Sequence, residues 1–144
     1  MNAFPKSKSM KNVVAWSLAL ALGVTSAAAF AGKMDVKLSG DQEVPPVKSA
    51  GSAAGSITIG DDGAVSGSVT ATGFTPTAAH IHLAGAGKNG PVFVPFAKDG
   101  DKFAPAAGAK LTPDQLKAYK EGDLYVNVHS AANPGGEVRA QLKP

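Results

Sequence analysis

Three histidines are the whole imidazole complement of this chain, and two of them stand one residue apart, in Ala79-His80-Ile81-His82-Leu83. The third lies in Tyr125-Val126-Asn127-Val128-His129-Ser130. On an extended strand successive side chains point to opposite faces, so His80 and His82 share one face while Ile81 and Leu83 share the other. Two imidazoles so placed can converge on a single ion. A third from a neighbouring strand would complete a three-histidine site, with a fourth position left for water or an acid. The same alternation groups Val126 with Val128, and Tyr125 with Asn127 and His129. If the aliphatic residues face the core, all three histidines stand on the other side of their strands. They meet only if those strands are neighbours, which the sequence does not decide.

The donor type bounds the metal. Nitrogen ligands without thiolate suit Cu(II) or Zn(II), with copper ahead of zinc and with nickel and iron as further alternatives. The chain has no cysteine, and Met34 is the only methionine beyond residue 31, which argues against a soft Cu(I) site. Glu43, Glu137 and Asp99 are candidates for an acidic fourth ligand or for orienting the histidines, and Tyr125, Asn127 and Arg139 are further candidates for the orienting role. Glu137 and Arg139 share a strand face and are expected to pair or to reach Glu43. The competing reading makes the histidines members of a structural polar network. No catalytic residue can be named. No serine sits in a G-x-S-x-G elbow, Ser130 and His129 face apart, and Asp61, Asp62, Asp99 and Asp101 fall in apparent turns. A metal-dependent enzyme is therefore the third reading, behind a metal-binding protein and an interaction module.

The elements that must carry these residues are strands. Short apolar runs between recurrent glycines and prolines predict strands at Met34–Leu38, Ala53–Ile59, Val65–Thr72, Ala78–Leu83, Val92–Phe96, Leu124–Val128 and Val138–Leu142. Gly60-Asp61-Asp62-Gly63 reads as a hairpin turn, and Gly85 to Pro91 as a glycine-rich loop. One short helix is expected over 113–121: Thr112 caps it, Pro113 opens it, Gln115 completes a capping box and Gly122 ends it. Helices do not alternate with strands, so the fold class is all-β: an antiparallel β-sandwich of immunoglobulin-like or related Greek-key topology.

Residues 1–31 read as a signal peptide. Lys6, Lys8 and Lys11 precede the apolar run Val13 to Val24, and Ala29-Phe30-Ala31 supplies an A-x-A cleavage site. Residues 32–144 then form a single domain, periplasmic or secreted, with no stable membrane anchor after cleavage. The whole chain carries 14 basic and 11 acidic residues, a net charge of +3. The three lysines of the leader supply that excess. The remaining basic residues are scattered, so no nucleic-acid partner is expected. Without cysteine, the fold is held by packing rather than by disulfides.

Several stretches together resemble the CHRD domain, named after chordin: Leu38-Ser39-Gly40-Asp41-Gln42-Glu43-Val44-Pro45-Pro46, then Ala79-His80-Ile81-His82 with Asn89-Gly90-Pro91, then Leu124-Tyr125-Val126-Asn127-Val128-His129 with Asn133-Pro134-Gly135-Gly136-Glu137-Val138-Arg139. The likeness runs from about Leu38 to Leu142. Ala140 stands where the family pattern would carry glycine. The resemblance implies a small exported β-sandwich, and places the three histidines on histidine positions of the family. It assigns no reaction. In chordin such domains belong to an extracellular antagonist of growth factors, a role tied to cysteine-rich modules that this sequence lacks.

Overall fold

The computed structural model describes residues 32–144, so the expected leader over residues 1–31 lies outside the described residues. Eight strands and one α-helix are found among them: β1 (Gly32–Leu38), β2 (Ser52–Ile59), β3 (Val65–Thr72), β4 (Pro76–Leu83), β5 (Val92–Asp99), β6 (Lys102–Pro105), α1 (Pro113–Glu121), β7 (Leu124–Ser130) and β8 (Val138–Leu142). Every pairing is antiparallel, in the order β1-β2-β3-β6-β5-β4-β7-β8. The run β4-β5-β6 is a meander whose last strand lies beside β3, which is a Greek key.

Two features fold this sheet onto itself. The first part of β5 pairs with β4 and its second part with β6, so the strand passes from one layer to the other. At the opposite seam Ser39 bridges Arg139, joining the end of β1 to β8. The result lies between a sandwich and a barrel. Alternation along the strands fills its interior: Ile57, Val69, Ile81, Val126 and Val138 are all buried.

Strand β6 has no counterpart among the predicted strands. Lys102-Phe103-Ala104-Pro105 offers only one large apolar side chain, too few for a period to show. Phe103 is nonetheless fully buried, because a tight turn with Gly100 at φ +60° returns the chain from β5 directly onto it. Asp99, expected in a turn, is instead the last residue of β5, paired with Lys102 across the hairpin.

The helix forms as its caps require. Thr112 Oγ1 accepts from the Gln115 backbone N–H at 3.2 Å, and Gln115 Oε1 accepts from the Thr112 N–H at 2.9 Å. Gly122 takes the left-handed conformation at φ +81°, open to glycine without strain. Tyr119 is buried, and Leu116 packs against the core. Losing this cap in Thr112→Ala is expected to lower stability by about 1 kcal/mol in urea unfolding, with Thr112→Ser restoring most of it. Equal stability of all three proteins would show that the cap contributes nothing.

Candidate metal centre

Strands β4 and β7 are neighbours, and their register decides where the histidines fall. His80 lies opposite Asn127, His82 opposite Tyr125, and His129 opposite Ala78, diagonal to His80. Ile81, Val126 and Val128 point into the core, so the three imidazoles share the other face. The expected orientation is therefore found. The outer face is not open, however. His82 and His129 are only 7% and 9% exposed, and His80 is half-buried. The loops Gly85–Pro91 and 131–136 lie against them.

One ring nitrogen from each histidine lies within 4.8 Å of the other two. His80 Nδ1 is 2.9 Å from His129 Nε2. The outer nitrogens of two rings are held by backbone carbonyls. His82 Nδ1–H donates to the Gly90 oxygen at 3.0 Å, and His129 Nδ1–H donates to the Pro134 oxygen at 2.9 Å. Each bond sets a tautomer whose Nε2 lone pair is free. His129 Nε2 spends its lone pair on His80. His82 Nε2 is buried and makes no hydrogen bond.

Burial favours the neutral form of His80 and of His129. Burial lowers the His80 pKa below the ordinary value of 6.5, with His129 and His82 adding repulsion. Burial likewise lowers that of His129; the Pro134 carbonyl opposes the shift and His82 reinforces it. Neutral imidazole is the form that binds a metal.

The carboxylates do not reach the rings. Glu137 is buried and accepts from the Ser49 and Asn133 side chains and from Ser130 Oγ at 2.7 Å. It thus ties the 131–136 loop, which presents the Pro134 carbonyl, to β7. The expected pairing of Glu137 with Arg139 does not form, because three neutral donors fill its oxygens instead. Glu43 is also buried. One of its oxygens makes no hydrogen bond, and it crowds Gly136, where an added Cβ would lie 2.3 Å from Oε1. Asp99 sits at the end of β5, outside the histidine group. Asn127 stands opposite His80 with its Oδ1 unpartnered.

Burial alone would raise the Glu137 pKa, but the hydrogen bonds from Ser49, Ser130 and Asn133 outweigh it and hold the pKa below 4.5. Below that pH the unfolded chain takes up a proton that the folded one resists, so stability falls as pH drops through and below 4.5. In Glu137→Gln the amide nitrogen must face a donor at either position. The variant should lose about 1–3 kcal/mol at pH 7, and its deficit should shrink as the pH falls towards 3. Urea unfolding of both proteins at several pH values reads this; a deficit independent of pH would overturn it.

The residues that sequence reasoning missed are Gly90 and Pro134, since both act through backbone carbonyls. The only signal was their place in Asn89-Gly90-Pro91 and Asn133-Pro134-Gly135-Gly136. Among the described residues, surface clefts of 470 to 600 Å³ lie beside the 39–51 segment, the 131–136 loop and the end of the helix, and these have no histidine in their lining. No helix among the described residues is long and apolar enough to cross a membrane.

No curated protein and no solved structure matches the chain. The sequence profile of the CHRD domain, by contrast, matches residues 34–142. That span runs from β1 to the end of β8 and takes in all three histidines with the loops that hold them, so this chain belongs to the CHRD domain family.

Proposed function

We propose that this is an exported metal-binding protein that holds one divalent ion, copper ahead of zinc, between His80, His82 and His129. The observation that carries this reading is His82 Nε2, a buried lone pair with no partner whose ring is locked by Gly90. Leaving such a group unpaired costs about 1–3 kcal/mol, which a bound ion would recover. Two ligand rings with outer N–H groups on backbone carbonyls match the usual arrangement around a metal.

The 2.9 Å between His80 Nδ1 and His129 Nε2 is that of a hydrogen bond, and copper is placed ahead of zinc on the nitrogen donor set instead. Bonds to either metal are about 2 Å long. The 4.8 Å limit of the group exceeds the roughly 4 Å that such bonds can span. The rings must therefore close by up to about 1 Å as the ion replaces the His80–His129 hydrogen bond. The three-imidazole set leaves a coordination position for water. The leader-like residues 1–31 support a periplasmic or secreted setting, where the role would be metal handling or redox protection.

A second reading makes the domain an adhesion or protein-interaction module. It is favoured by the direct His80–His129 hydrogen bond, which satisfies two rings without an ion, and by the exposure of Leu83 and Val92 beside the site. Calorimetric titration of tag-free protein 32–144 with Cu(II) and with Zn(II) separates the two. One-to-one binding, tighter for copper, supports the metal centre; no heat of binding with either ion leaves the interaction module.

A further inference from the structure

Arg139 is the largest fully buried side chain, 1% exposed, and every hydrogen bond of its guanidinium goes to a neutral acceptor: Asn89 Oδ1 at 3.2 Å, Gln141 Oε1 at 3.3 Å and the Gly85 oxygen at 3.4 Å. A buried cation held this way is expensive unless something else stabilises it. What it has is a ring and, nearby, the Glu43 carboxylate, whose charge favours the cation. The guanidinium carbon lies 3.4 Å from the centroid of Tyr125. The same ring lies on His82, with centroids 4.6 Å apart and planes 7° from parallel. Strand order β4-β7-β8 puts His82 and Arg139 on opposite sides of Tyr125, so the three planar groups form a stack across three strands.

The stack is also tied to the loop that anchors His82. The Gly90 N–H donates to the Tyr125 hydroxyl at 3.3 Å, while the Gly90 oxygen accepts from His82. Asn89, which accepts from Arg139, donates to the Val44 oxygen at 2.6 Å. Arg139 thereby holds both the Tyr125 ring and the loop. His82 is left with one plane and one tautomer.

We propose that Tyr125 and Arg139 are positioning residues of the metal centre: the Arg139–Tyr125 stack locks the His82 ring as its Nδ1–H tautomer, with Nε2 presented as ligand. This rests on the three-histidine reading for its function, but not for its structure. The aromatic face carries the effect and the hydroxyl adds a minor part. Arg139 acts through the ring, since a planar guanidinium can stack and an ammonium cannot.

The test begins without metal. Long-range ¹H–¹⁵N correlation spectra of the histidine side chains, recorded on metal-free protein 32–144, report the His82 tautomer. Wild type and Tyr125→Phe should show Nδ1–H alone. Tyr125→Leu should show a mixture of tautomers, and so should Arg139→Lys, which serves if the leucine variant fails to fold. A folded variant lacking the stack that keeps the single tautomer overturns the proposal, whatever happens to copper. Cu(II) titration of the same proteins then reads the consequence. Tyr125→Phe should bind within about threefold of wild type, and Tyr125→Leu about 10–100-fold more weakly, with altered copper hyperfine splitting in its electron paramagnetic resonance spectrum. A wild type that shows the single tautomer yet binds no copper would sink the metal reading and leave the stack as a structural lock.

Discussion

His82→Ala and His129→Ala should each weaken Cu(II) binding by about 1000-fold or more, which is roughly 4 kcal/mol. Each removes one of three donors, and no carboxylate stands within reach to replace it, since Glu137 is occupied by Ser49, Ser130 and Asn133. The two variants should differ in the metal-free protein. His82→Ala deletes a ring whose Nε2 is unpartnered, so part of the lost packing on Tyr125 is offset. His129→Ala strips His80 and the Pro134 carbonyl of their partner together, and should be the less stable of the two. Calorimetry gives the affinity, and urea unfolding of the metal-free proteins gives the stability. If both variants bind copper as wild type does, the metal lies elsewhere or nowhere.

Gly90→Ala should also damage the site, less than the loss of a ligand does, without touching a ligand. A Cβ there would lie 1.8 Å from the Leu83 backbone oxygen, and backbone on backbone cannot be relieved by a rotamer change. The loop must lift. That withdraws the carbonyl from His82 and the N–H from Tyr125 together. The expected loss is about 2–3 kcal/mol, a fall in Tm of roughly 10 °C, and a 10–100-fold loss of copper affinity. Gly135→Ala is the control, because a Cβ at Gly135 meets nothing within 4 Å although its carbonyl accepts from Asn127. If Gly90→Ala and Gly135→Ala behave alike, the anchoring of His82 by Gly90 is not what holds the site.

Burial of Arg139 also explains why its role could not be deduced from charge pattern. Sharing a face with Glu137 on β8 suggested an ion pair. In the folded protein each hydrogen-bonds neutral partners closer by: Glu137 two hydroxyls and an amide, Arg139 two amides and a carbonyl, with an aromatic ring on its face and the Glu43 carboxylate acting only through its charge. The choice between them is made by the loops that cross the outer face, and loop paths leave little periodic signal.

What the sequence determined by itself is what depends on local alternation and local capping. Seven of the strands follow from period-two runs between turn residues. Thr112, Pro113, Gln115 and Gly122 delimit the helix because a capping box and a left-handed stop are contained in the eleven residues from Thr112 to Gly122. The facing of His80 and His82 away from Ile81, and of His129 away from Val128, follows from the pleat alone. What only the tertiary structure decided is that β4 and β7 are neighbours in a register that sets His129 diagonal to His80. Strand adjacency is a long-range choice, made when Greek-key closure buries Phe103 and the inner faces together. The covering of the histidines was equally out of reach. Gly90 and Pro134 contribute carbonyls, which every residue carries, so only the folded loops show which two are aimed at imidazole.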